Sequence, residues 1–185
     1  MRNNLILLIL FTTTILFSCK GPDARRPVQQ SSGSFIQESA QRNKALYEQE
    51  KQQIEGLINS DTLQDYITSD SGFWYYYNVK DTTAVETPDF GDRVVFSYNI
   101  KDLSGNIVLT KEEAGLQEYR IDQTNQDLIS GLRDGIKLMK EGETVTFLFP
   151  SYKAYGYYGL ENKLGTNVPV QSTVTLQTIE KTTEN

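Results

Sequence analysis

Between residues 72 and 182 one stretch spaces its apolar residues four apart: Leu128, Leu132 and Ile136 in "NQDLISGLRDGIKLM", residues 125–139. That spacing is one face of a helix. The other apolar runs in this region alternate or are rich in rings, which favours strands. They are "GFWYYYNV" (72–79), "RVVFSYNI" (93–100), "LQEYRI" (116–121), "ETVTFLF" (143–149) and "PVQSTVTLQTIEK" (169–181). Ser104-Gly105-Asn106 supplies a turn that makes a hairpin of residues 93–101 and 107–110. Gly131 and Gly135 weaken the helix, so packing must hold it. A lone short helix among antiparallel strands predicts an α+β domain over 72–182, a curved antiparallel sheet wrapped around the helix. The last strand is expected to alternate through Val170, Ser172, Val174, Leu176 and Thr178.

Upstream the composition changes twice. Residues 1–18, "MRNNLILLILFTTTILFS", join an early arginine to a short apolar run, the pattern of a signal peptide. A membrane anchor is the alternative, but a spanning helix needs about 20 apolar residues. "LFSC" then resembles the bacterial lipobox, which implies cleavage and lipidation at Cys19. Cys19 is the only cysteine, so no intrachain disulfide can form. Residues 19–34 follow as a flexible tether rich in proline, glycine, serine and glutamine. This order implies a lipid-anchored protein of the cell envelope, at the outer membrane and facing the periplasm. Residues 35–60 are dominated by helix formers, with Ser34 and Gln37 spaced as a cap. Two readings stay open for this polar helix: its ends dock on the domain, or it is a spacer or a homodimer interface.

Several chemistries are excluded. The chain contains 0 histidines, so it has no Ser-His-Asp triad, Cys-His pair or mixed zinc site. No metal or cofactor is expected. The formal charge is -6, and no long basic block offers a footprint for nucleic acid.

"FLFPSYKAYGYYG", residues 147–159, is the richest concentration of rings. Phe147 and Phe149 are two apart, one face of a strand, and read as core. Pro150 lacks the N–H that a central strand requires and stops the ladder. Tyr152, Tyr155, Tyr157 and Tyr158 either pack on the surface or build an apolar cup with hydroxyls at its rim.

Four segments in order resemble the FKBP-type peptidyl-prolyl cis-trans isomerase family over residues 91–180: "GDRVVFSYNIKDLSGNIV", "DLISGLRDGIKLMKEGETVTFLFP", "PSYKAYG" and "VPVQSTVTLQTIE". The resemblance implies an isomerase of X–Pro bonds with an apolar pocket, and proline-containing peptide segments as partners. It implies catalytic roles for Tyr98, for the Ile129 N–H and for the Tyr155 hydroxyl. It implies a pocket lined by Tyr119, Ile121, Val108, Leu109, Leu128, Leu132, Val168 and Leu176. The leader, the polar helix and "GLRDGIKLMKEGETVTFLFPS" also resemble the gliding-motility-associated isomerase lipoproteins of the Bacteroidetes, which implies service to envelope machinery for gliding and secretion.

Two departures stand out. Where the family has Phe-Asp after the turn, this chain has Val108-Leu109, and the nearest carboxylates are Glu112 and Glu113. Where the family has a floor tryptophan, it has Leu132, and the only tryptophan, Trp74, lies outside the matched segments. These departures imply a wider, less polarisable cup, weakened activity and poor binding of macrolide inhibitors. They keep two rival readings open: a binding module or chaperone for proline-containing segments, and a structural protein that docks on an envelope partner.

Overall fold

The computed structural model describes residues 32–83, 86–123 and 128–182; the leader, Cys19 and most of the tether lie outside them. The chain divides into two compact units, Met1–Ser39 and Ala40–Asn185. Helix α1, Ser32–Ser60, begins before Ser34, which therefore lies inside the helix rather than capping it. Among the described residues no helix is long and apolar enough to cross a membrane.

The strands are β1 (Ile67–Ser69), β2 (Phe73–Val79), β3 (Arg93–Tyr98), β4 (Ile100–Asp102), β5 (Ile107–Leu109), β6 (Gln117–Arg120), β7 (Thr144–Phe149) and β8 (Val170–Glu180). Helices α2 (Lys111–Ala114) and α3 (Ser130–Ile136) and a 3-10 turn at Ser151–Lys153 complete the order. The sheet runs β1-β2-β7-β8-β3-β6, with β4 on β8 and β5 on β4, and every pairing is antiparallel. This is the expected α+β fold, a curved antiparallel sheet with short helices.

Three details differ from expectation. β1 pairs with β2 through Ile67↔Tyr75 and adds an outer strand. α2 follows Thr110, whose Oγ1 accepts the Glu113 N–H while the Glu113 carboxylate accepts the Thr110 N–H, a complete capping box. α3 covers only Ser130–Ile136 of the expected 125–139; Leu128 lies in a bend before it and Ile129 enters it in an extended conformation.

The glycines of α3 have a packing role. A Cβ on Gly131 would stand 2.5 Å from the Phe149 ring, and one on Gly135 2.9 Å from Phe147. The helix thus lies directly on β7, and the helix-weakening residues are those that permit the approach. β7 is buried on both faces, not alternately. Val145, Phe147 and Phe149 face α3 and the main core, whereas Leu148 joins Trp74 and Ile54 of α1 in a second cluster. Ile54 and Leu148 are each 0% exposed, and Leu57 and Ile58 pack against this cluster. Helical spacing puts positions 50, 54, 57 and 58 on one face of α1, and that face docks on the sheet.

β8 also departs from strict alternation. The β3–β8 register slips between Val95 and Phe96, which leaves Gln177 as an extra residue. Val170, Val174 and Leu176 are buried, but beyond the bulge the phase shifts: Thr178 is exposed and Ile179 packs on the core. Buried Ser172 is satisfied by donating to the Asn99 carbonyl at 2.7 Å.

Candidate functional site

β3, β5, α3 and the turn after β7 bring most of the expected residues into one cluster. Tyr119, Ile121, Leu132 and Leu176 are buried, with Leu132 1% and Leu176 0% exposed. Val108 is also buried at the edge of this core. Half-buried side chains pack on the same cluster: Tyr98, Leu109, Leu128, Ile129 and Tyr155. Buried and half-buried apolar side chains from these elements thus share one packed cluster. Val168 is half-buried just before β8, beside Gly165, and is not part of this cluster.

Each half-buried residue is placed by its element. Tyr98 ends β3, its ring 6.0 Å from Phe96 on the same face of the strand. Ile129 is the N-cap of α3 with φ -56 and ψ 145. Its N–H is one of the first four of the helix, which have no intrahelical acceptor. Tyr155 follows the 3-10 turn that Pro150 opens. The Ser151 carbonyl accepts the N–H groups of Ala154 (2.9 Å) and Gly156 (2.8 Å), one on each side of Tyr155. Gly156 takes φ +55, which a glycine adopts without strain, and its carbonyl accepts the Asn167 N–H at 2.8 Å.

The turn is tied to α3 as well. Ser130 Oγ donates to the Lys153 carbonyl at 3.3 Å, and Lys153 Nζ meets Asp134 at 2.8 Å. Tyr152 braces the outside, its hydroxyl donating to the Gly72 carbonyl at 3.1 Å and its ring edge-on to Tyr47 at 5.5 Å. Tyr157 and Tyr158 are exposed and stand edge to face with each other.

Electrostatically the site is quiet. Burial, with a smaller push from Tyr98, drives the Tyr155 hydroxyl up to about 12. Burial also raises Tyr98. Both are neutral O–H groups near pH 7, able to donate. Among the described residues no partner is assigned to the Tyr155 hydroxyl. Tyr119 is already engaged, its oxygen accepting the Asp122 N–H at 3.2 Å. Glu113, considered as a substitute for the missing pocket carboxylate, is committed elsewhere, pairing with Lys163 at 2.7 Å and with the Thr110 N–H. Among the described residues no cluster of acidic, histidine or cysteine side chains could hold a metal ion.

A family model described as FKBP-type peptidyl-prolyl cis-trans isomerase matches residues 84–177, half of the chain. The chain belongs to the FKBP-type family. A curated relative, "Probable FKBP-type peptidyl-prolyl cis-trans isomerase FkpA" of Neisseria meningitidis serogroup B, is 27% identical over 139 residues, 72% of this chain. The chain spans about half, 49%, of that relative's length. A peptidyl-prolyl cis-trans isomerase of Pseudomonas syringae pv. tomato shares the fold with a TM-score of 0.59 at 20% identity, over 75% of this chain and 96% of its own. FkpA of Escherichia coli does so at 0.57 and 19%, over 97% of this chain and 82% of its own.

Within the FKBP-type chain, Trp74 belongs to the outer cluster with Ile54 and Leu148, so it does not replace the ring absent at Leu132. Two further residues, Glu50 and Ser151, escaped sequence reasoning. They bond to each other across 101 residues, and nothing local in either segment signals the pairing.

Proposed function

We propose that the chain is a peptidyl-prolyl cis-trans isomerase acting on X–Pro bonds of envelope proteins. The observation that supports this reading is that half-buried Tyr98, Ile129 and Tyr155 pack on the core cluster that buries Leu132 and Leu176, within a chain of the FKBP-type family. The reaction needs no proton transfer and no nucleophile. Rotation about the imide bond breaks amide resonance against a barrier of about 18–20 kcal/mol. The twisted state is less dipolar than the planar one, so moving the bond from water to an apolar rim disfavours the planar form more. The Ile129 N–H and the Tyr155 hydroxyl hold the flanking carbonyls in the turn that the twisted bond requires. The absence of histidine is consistent with this chemistry.

In this reading Cys19 carries the lipid, the tether gives reach, and the domain faces the periplasm from the outer membrane. Its clients are proline-containing segments of envelope proteins that assemble gliding or secretion machinery. The docked face of α1 supports a helix fixed on its own domain over a homodimer interface through 35–60. A protease-coupled prolyl-peptide assay tests the activity: turnover by the wild type at micromolar protein is expected, and none would sink the proposal.

A second reading has its own support. Leu132 and Leu109 offer neither the ring nor the carboxylate of the family pocket, and Glu113 is engaged by Lys163. A chaperone or binding module would suppress aggregation of an unfolded test protein without turnover. A purely structural envelope protein would do neither.

A further inference from the structure

Helix α1 lies outside the residues 84–177 that match the family, yet one of its side chains reaches the turn that carries Tyr155. Glu50 is 3% exposed. Its Oε1 accepts the Ser151 hydroxyl at 2.6 Å, and its Oε2 accepts the Ser151 N–H at 2.7 Å. Short bonds to a carboxylate are of the charge-assisted kind. A buried carboxylate with both oxygens committed to one residue holds a narrow geometry, because any displacement leaves charge without partners.

Ser151 passes this constraint on. It is 2% exposed, and its carbonyl accepts from Ala154 and Gly156, the residues that bracket Tyr155. The far side of the turn is tied to α3 through Ser130 and Lys153. Glu50 is thus the buried tie on the α1 side, beside the edge-to-face pair of Tyr47 and Tyr152.

We propose that Glu50 is a positioning residue for the prolyl site: through Ser151 it fixes the turn that sets the Tyr155 hydroxyl, which makes α1 part of the functional unit. The turnover arm of its test rests on the isomerase reading; the exchange arm rests on geometry alone. In the full chain, Glu50→Ala and Glu50→Gln are compared with wild type and with Glu48→Ala, a change on the exposed side of α1. Amide hydrogen exchange, kcat and KM on a prolyl peptide are measured per folded molecule.

Glu50→Ala should speed exchange at Ala154 and Gly156 by on the order of tenfold or more, while β8 amides keep their protection. It should lower kcat/KM by about tenfold, chiefly in kcat. Glu50→Gln, which keeps one acceptor oxygen, should recover part of both, and Glu48→Ala should match wild type. Unchanged exchange would overturn the proposal, as would faster exchange with kcat/KM intact. If Glu50→Ala does not fold, Ser151→Ala removes only the hydroxyl bond and is judged by the same outcomes. If the wild type has no turnover, the isomerase reading falls separately. The Tyr155 ring resonance then decides the positioning role: a shift in Glu50→Ala supports it, and an unmoved signal sinks it.

Discussion

The two faces of β7 bury side chains equally well but do different work. The inner face presents Phe147 and Phe149 to the two glycines of α3, and on that side stand the residues expected to meet a peptide. The outer face presents Leu148 to Ile54 and Trp74, and the strand continues into the turn held by Glu50. The family's segment supplies Phe147, Phe149 and α3, but both faces also use residues upstream of it: Phe73 packs edge-on to both rings on the inner face, and Ile54 and Trp74 meet Leu148 on the outer one. The two faces of one strand thus bury two separate clusters, and the turn that follows the strand is held by Glu50, a residue upstream of the family's segment.

The strongest way to test this comparison is to empty each core in turn. Phe147→Ala should cost about 3–5 kcal/mol, since a fully buried ring leaves a large void against α3. Ile54→Ala should cost about 2–4 kcal/mol, because Ile54 is equally buried but smaller. Urea unfolding of the full chain reads both. A cost below about 1 kcal/mol for Ile54→Ala would mean that α1 is an appendage and that the outer face is not a core. Gly131→Ala should fall between them and surface change, at about 1–3 kcal/mol, because its methyl has no room beside Phe149.

How much of this was legible depends on whether the signal was local. Leu132 and Ile136 lie in α3 as the helical period predicts, although Leu128 precedes the helix, and the alternation of Val145, Phe147 and Phe149 follows from period, so much of the inner core could be read. The capping box at Thr110 and Glu113 was written in "TKEE" and went unread because four residues show no apolar period. The burial of Leu148 has no signal in its own strand, because the helix that covers it comes from outside the segment. The Gln177 bulge shifts phase with no glycine to mark it, so Thr178 was expected inward where Ile179 lies. At the candidate site, Tyr98, Ile129 and Tyr155 pack on the main core and Val168 does not, and their role as a pocket rests on the resemblance to the family. Glu50 and Ser151 carry no local signal, because a tie across 101 residues exists only in three dimensions.

The smallest effects concern the hydroxyl itself. Tyr155→Phe should lower kcat/KM by about tenfold, the value of one hydrogen bond, with little change in stability, since no described residue depends on that hydroxyl. The pH profile sharpens this further. A tyrosine raised to about 12 keeps its proton through neutrality, and the chain has 0 histidines, so kcat/KM should stay flat from about pH 6 to about pH 9. The sign for stability follows from linkage. The folded state holds the Tyr155 proton more tightly than the unfolded one, whose tyrosine titrates near 10. That contribution is complete below about pH 10 and is lost as pH rises toward 12. Tyr155→Phe removes it, so the variant should lose less stability than wild type over this alkaline window. Equal losses in the two proteins would mean that the hydroxyl is solvated, contrary to the burial that raises it.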